Sequence, residues 1–346
     1  MLLREMPRRT LTAIAIATVA ALIGASVAVY VLTRDDSLPA EGDHVAYSCK
    51  EQNNAWYAIC VSKVDGSDSR RITKRIQTST PAWSPDGQLI AFTRNEDIGE
   101  YTTFSEDDLF VMDADGGNAH QLTPEREGSH AGQPTWSPDG RQIAYVQGSS
   151  VTTLQPSRPG SLYVMDADGS NVHRLTRGDA DVDPAWSPDG TEIAYGHCFN
   201  IDSPTLCTLD LFVMDVATGA SRQLTRTPFV YEAGYAWSPD SSRIAFTRFT
   251  PLLDFKPSVV YSINRDGTDE TRVHAHKASV GGLYSLAWSP DGRTIAFVTS
   301  PNPECTAISL FDLADGDIRP LTSCERPRES TRAPTWQPNP DAQDAE

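Results

Sequence analysis

The chain has 346 residues, with 29 Lys and Arg against 46 Asp and Glu, for a formal charge of −17. The first 34 residues hold four Arg and one Glu, so the rest carries 25 basic against 45 acidic side chains. A body this acidic repels phosphate backbones and anionic lipid headgroups, which excludes nucleic acid as a partner.

The first predicted element is a membrane anchor. Arg4, Arg8 and Arg9 precede Leu11–Leu32, a run of 22 residues without a charge. At ~1.5 Å per residue such a helix spans the ~30 Å hydrocarbon core. The arginines lie on its N-terminal side, which places residues 1–10 in the cytoplasm. A cleaved signal peptide is the alternative, because Ser26-Val27-Ala28 is an acceptable small-residue site. Both readings export the remainder of the chain: a linker over 33–42, a folded body over 43–338 and an acidic tail over 339–346. The body is thus expected outside the cytoplasm, periplasmic or extracellular, on a single-pass anchor in the cell membrane.

Six cysteines fall into three close pairs: Cys49 and Cys60, Cys198 and Cys207, Cys305 and Cys324. Fifteen connectivities are formally open. The spacings match no zinc signature, and an oxidising compartment favours three short-range disulfides within those pairs.

From there the chain repeats itself. Tryptophan recurs at Trp83, Trp136, Trp186, Trp237, Trp288 and Trp336, a period near fifty residues, as in propellers and solenoids. After each of the first five comes Ser-Pro-Asp and then an Ile-Ala-Phe or Ile-Ala-Tyr strand. An apolar strand follows, ending in a turn such as Asp113-Ala114-Asp115-Gly116, and then a short segment ending in Leu-Thr, as at Leu122-Thr123. In Ser84-Pro85-Asp86-Gly87 the residue types are those of a type I turn, with Gly able to take positive φ. Short turns force antiparallel pairing, so each period is a four-stranded meander, with strands A to D. The middle strands are apolar almost throughout, so both faces of each small sheet are covered. This describes blades around an axis.

The first period lacks a tryptophan strand, whereas the chain ends on one, Ala333–Trp336, with no Ser-Pro-Asp-Gly hairpin after it. The C-terminal strand therefore completes the first blade. The expected fold is an all-β, six-bladed propeller closed by its C-terminal strand and preceded by one transmembrane helix.

These motifs resemble the β-propeller of TolB and related exported proteins built from WD-like PD repeats, over about residues 43–338. The resemblance implies the fold. For function it implies a repeat used by binding proteins and by the non-catalytic domains of some peptidases. TolB has a further α/β domain before its propeller, whereas only Thr33–Gly42 separates anchor and blades here.

The residues supply no nucleophile, P-loop, dinucleotide or zinc-protease motif, and a chain ending at Glu346 leaves no room for a peptidase's hydrolase domain. The Asp-rich turns lack the ligand spacing of a calcium loop. No cofactor is expected. One face of the propeller carries only tight turns. The other carries the long B–C connections 93–108, 146–161 and 247–258, and loops on a rigid scaffold are where specificity resides. His130, His197, His274 and His276 fall on or near that face. The residues entering strand A at the channel mouth are expected to be Thr80, Gln133, Asp183, Gly234, Ser285 and Ala333. With His130 and Tyr231 these form the candidate partner-binding set. The expected function is a non-catalytic scaffold that binds a protein or peptide in the cell envelope. A metal-dependent enzyme acting on cell-wall or extracellular glycan is the alternative, and oligomeric state is left open.

Overall fold

The computed structural model describes residues 44–50, 57–73, 78–95, 107–124, 129–149, 160–177, 181–199, 208–228, 230–249, 259–275, 285–302, 305–322 and 330–338. These contain 24 strands, in six sets of four, and no helix. Blade 1 takes its strand A from the C-terminus: β24 (Ser330–Trp336), then β1 (His44–Lys50), β2 (Ala58–Lys63) and β3 (Arg70–Arg71). Blade 2 is β4 (Thr78–Trp83), β5 (Leu89–Asn95), β6 (Asp107–Asp113) and β7 (His120–Gln121). Blade 3 is β8 (Ser129–Trp136), β9 (Gln142–Ser149), β10 (Ser161–Asp166) and β11 (His173–Arg174). Blade 4 is β12 (Asp181–Trp186), β13 (Glu192–Phe199), β14 (Thr208–Asp215) and β15 (Ser221–Gln223). Blade 5 is β16 (Tyr231–Trp237), β17 (Arg243–Phe249), β18 (Val259–Asn264) and β19 (Thr271–Ala275). Blade 6 is β20 (Leu286–Trp288), β21 (Thr294–Asn302), β22 (Cys305–Asp312) and β23 (Ile318–Pro320).

The ring closes as the terminal tryptophan foretold. β24 pairs antiparallel with β1, bringing Val45 opposite Trp336 and Ala46 opposite Thr335. Where other blades turn a hairpin, the Gln337 amide donates to the His44 carbonyl at 2.8 Å, and Gln337 is buried. In the other five copies the turn Ser makes the same amide bond, as from Ser84 N to Leu89 O at 2.9 Å, and adds its side chain to the turn. Ser84 Oγ donates to Asp86 Oδ1 at 2.6 Å and accepts from the Leu89 amide at 2.8 Å. The same pattern returns at Ser137, Ser187, Ser238 and Ser289.

The Leu-Thr segment has a mechanism that differs from the expected strand. Strand D stops short of the Thr, whose Oγ1 instead accepts a strand C amide: Ile59 N to Thr73, Leu109 N to Thr123, Leu162 N to Thr176, Leu211 N to Thr225 and Ile308 N to Thr322, at 2.8–3.0 Å. A buried amide without such a partner costs free energy, which accounts for the recurrence of Thr. The Gly of the Asp-rich turn answers a close approach between blades. Gly116 has φ +93°, and a Cβ there would sit 2.1 Å from the Ile72 carbonyl oxygen of the preceding blade.

The core is divided into interfaces between blades. Ala46, Ile59 and Val61 of blade 1 meet Trp83, Phe92 and Met112 of blade 2. Val45 and Tyr47 of blade 1 meet Ile308 and Leu310 of blade 6. Three tryptophans add a polar stitch to the preceding blade: Trp136 Nε1 donates to Ala82 O, Trp237 to Ala185 O and Trp336 to Ala287 O, at 3.0–3.1 Å. A disulfide joins Cys49 on β1 to Cys60 on β2, with Cα atoms 5.8 Å apart. The pairings expected for Cys198 with Cys207 and for Cys305 with Cys324 involve side chains outside the described residues. So do Leu11–Leu32, the flanking 1–10 and 33–42, and the tail 339–346. Among the described residues, no helix is long and apolar enough to cross a membrane.

Candidate functional site: the axial ring and the loop face

The six A strands touch in a closed ring, β24 to β4 to β8 to β12 to β16 to β20 and back to β24, so they line the axis. Most of the predicted mouth residues lie inside strand A, at a bulge, instead of at its entry. Pairing of strands A and B slips between Ser79 and Ala82, Gly132 and Thr135, Val182 and Ala185, and Ala233 and Ala236. At each slip the backbone turns left-handed: Thr80 at φ +48°, Gln133 at +57°, Asp183 at +51° and Gly234 at +66°. For a β-branched Thr that conformation is an outlier, held here by a Thr80 Oγ1 to Thr93 Oγ1 hydrogen bond of 2.7 Å. Strained positions persist only where the surroundings over-determine them.

Three ring members are joined across blades 3, 4 and 5. Gln133 Nε2 donates to Asp183 Oδ1, and the Asp183 amide donates to Gln133 Oε1 at 3.0 Å. On the other flank the Gly234 amide donates to Asp183 Oδ2 at 3.4 Å. The residue as a whole is half-buried, and its carboxylate is crowded by both neighbouring blades. Crowding removes water, and the two amide donors only partly offset this, so its pKa is raised to about 6. Ser285 lies half-buried just before β20. Ala333 lies in β24 and Tyr231 in β16, with side chains outside the description.

A second polar system on the loop side of blades 4 and 5 escaped sequence reasoning. Glu232 is fully buried and receives Arg248 Nε at 2.8 Å, Thr225 Oγ1, and the Leu211 amide at 3.3 Å. Arg248 also forks onto Glu270 at 2.7 and 2.9 Å and lies over the Tyr261 ring, 4.5 Å from its centroid. Burial raises the Glu232 pKa against the pull of Arg248 and Thr225. Burial likewise raises that of Asp210, which accepts from Gln223 at 2.8 Å. Tyr235, donating to the Glu232 carbonyl at 2.7 Å, is held well above its usual value by burial, then by Glu232, Asp183 and Asp210.

His197 and His130 are drawn into pairs: His197 Nδ1 lies 2.7 Å from Asp181, and His130 Nδ1 lies 2.9 Å from Asp107. Asp181 faces His197 in register as Glu232 faces Arg248. One repeat position thus holds an acid–base pair in both blades. Aligning the blades on Trp186 and Trp237 exposes it, since each acid stands five residues before its tryptophan. His274 lies in β19 with an undescribed side chain, and His276 lies outside the described residues. Among the described residues, no three His, Cys, Asp or Glu side chains converge as a metal-ligand set.

The opposite mouth is lined by Trp83, Trp136 and Trp186 with Pro85, Pro138 and Pro188 around a cavity of ≈ 210 Å³. Further out on that face, Arg265 reaches from blade 5 to Asp189 and Glu192 of blade 4, and Arg222 joins it on Glu192 at 2.6 Å.

A six-bladed ring with this repeat chemistry is similar to the β-propeller of TolB. Residues 42–197 match the family model of the TolB β-propeller domain, and residues 149–251 match that of the dipeptidyl peptidase IV N-terminal region. The chain carries a TolB-like six-bladed propeller. The uncharacterized peptidase YuxL of Bacillus subtilis is 30% identical over 110 residues, 30% of this chain and 16% of that protein. The uncharacterized protein Atu1656 of Agrobacterium fabrum is 28% identical over 204 residues, 56% of this chain and 63% of that protein. The matched stretches thus span less than two thirds of either relative. TolB from Acinetobacter baumannii has the same fold, with a TM-score of 0.64 at 20% identity over 86% of this chain and 67% of that one.

Proposed function

We propose that the protein is a non-catalytic binding propeller of the cell envelope, exported on an N-terminal membrane anchor, whose loop face and axial ring take a protein or peptide segment. The observation that carries this is the contrast between the ends of the axis. At the turn end five of the six blades repeat Ser-Pro-Asp after the tryptophan, whereas at the ring each blade presents a different residue: Thr80, Gln133, Asp183, Gly234, Ser285 and Ala333. A rigid frame with variable inward residues is suited to recognition, and no nucleophile–base pair stands among them. The uncharged run Leu11–Leu32 and the arginines before it support the anchor in this reading.

A photo-crosslinking side chain placed at Gln133 or at Asp86 in living cells tests this reading. A discrete protein adduct is expected from Gln133 and not from Asp86. Adducts from both faces alike, or from Asp86 alone, contradict it. The match to the dipeptidyl peptidase IV N-terminal region favours a second reading, an accessory propeller that gates access to a peptidase. In that case the Gln133 adduct is a hydrolase.

A further inference from the structure

The buried and half-buried carboxylates on the loop side fall into two kinds. Glu232 is paired with Arg248, and Asp181 with His197. Asp210, though bonded to Gln223 and Thr227, feels Arg248 and Arg226. Asp183 differs. Both of its oxygens are held, but by neutral donors only, the Gln133 amide and the Gly234 backbone. Among the described residues no Lys, Arg or His pairs with it. A crowded carboxylate that keeps its charge without a counter-ion is costly, and the cost is relieved when an opposite charge arrives.

Its position is also special. It is the one charged residue among the six ring positions, it lies half-buried on a strand that lines the axis, and its bonds to the flanking blades fix its orientation. A divalent ion would require several oxygen ligands, typically more than one of them anionic, and no such set converges there among the described residues. A single oriented carboxylate suits a single ammonium or guanidinium.

We propose that Asp183 is the docking point for a Lys or Arg side chain of the segment that enters the axial channel, so that the partner is recognised by a basic residue. This rests on the binding reading above and specifies the partner's chemistry.

The test is calorimetric titration of the full-length protein with three short Gly/Ser peptides bearing one central arginine, citrulline or glutamate. The arginine peptide is expected to bind, and the isosteric citrulline and the glutamate peptides to bind roughly tenfold more weakly or not at all. Asp183→Asn should remove the preference. Gln133→Lys, which supplies an internal cation beside the carboxylate, should do the same without removing Asp183. Equal binding of arginine and citrulline peptides, an unchanged preference in both variants, or no binding of any peptide would overturn the proposal. So would saturable calcium binding that Asp183→Asn abolishes. A loop-face crosslink to a partner segment without Lys or Arg would sink this inference and leave the binding reading standing, whereas absence of any loop-face adduct would sink the reading itself.

Discussion

The two ends of the propeller use the same side chain in opposite ways. At the turn end Asp139 accepts from Ser137 Oγ at 2.6 Å and from the Arg141 amide at 3.0 Å. Those bonds favour the ionised form and hold its pKa below the usual range, with only slight opposition from burial. Asp168, Asp240 and Asp266 behave alike. Around the ring and under the loops the order reverses, and burial lifts Asp183, Asp210 and Glu232. A turn Asp is thus committed to folding its own hairpin, whereas the raised carboxylates are held in spite of burial, Glu232 by Arg248 and Asp183 by neutral donors alone. Perturbed groups of that second kind gather at functional sites.

The frame beneath both ends gives the largest effect. Trp336→Ala removes a ring-closing aromatic and its indole bond to Ala287, and should cost ~3–5 kcal/mol. Ending the chain before Ala333 should be worse, while removing 339–346 should cost almost nothing. Thermal unfolding of the three variants reads this directly, and equal stabilities would mean that β24 does not close the ring.

Arg248→Met separates the two faces next. It strands Glu232 in the interior without its cation, so a loss of ~3–5 kcal/mol is expected in denaturant unfolding. Arg141→Met, at an exposed turn position 3.9 Å from Asp139, should change stability by less than about 0.5 kcal/mol. Similar losses for both would erase the distinction between the faces.

The pH dependences should have opposite signs. The Asp183 pKa is higher folded than unfolded, so between about pH 4 and 6 the folded state holds the extra proton and stability falls as pH rises. Asp183→Asn removes that charge, and Asn tolerates the left-handed backbone. The variant should gain up to ~3 kcal/mol over the parent at pH 7 and lose the advantage below about pH 4. Asp139 is depressed, so its stabilisation is present above the unfolded pKa and disappears as pH falls through the folded one. Asp139→Ala should therefore cost ~1 kcal/mol at pH 7 and progressively less in acid. Unfolding midpoints across pH 3–8 decide both. Parallel curves for the two variants would contradict the account.

Much of this was legible because it is written several times over. Trp, Ser-Pro-Asp-Gly and the Asp-rich turns occupy fixed places in a period, so their spacing reveals strand order, turn positions and the missing strand that β24 supplies. The Thr of Leu-Thr was visible as a repeat but misread as a strand residue, since nothing in the chain says that its hydroxyl, and not its backbone, meets strand C. Thr80, Gln133, Asp183 and Gly234 were found by their offset from Trp; their bulge and left-handed backbone were not, because pairing register is a relation between strands. Glu232 and Arg248 were missed for a related reason. Each looks like a solvated strand-end charge until the A–B register sets them face to face. Such pairs occur where blades depart from their consensus, which is where a reading based on repetition is weakest.

The central claim is that the ring carboxylate is held differently from the turn carboxylates. Carboxyl carbon NMR of the full chain, with Asp183 and Asp139 assigned by their Asn variants, measures it directly. The account predicts that Asp183 titrates near pH 6 while Asp139 titrates below the usual carboxylate range. Both groups titrating together near pH 4 would contradict it.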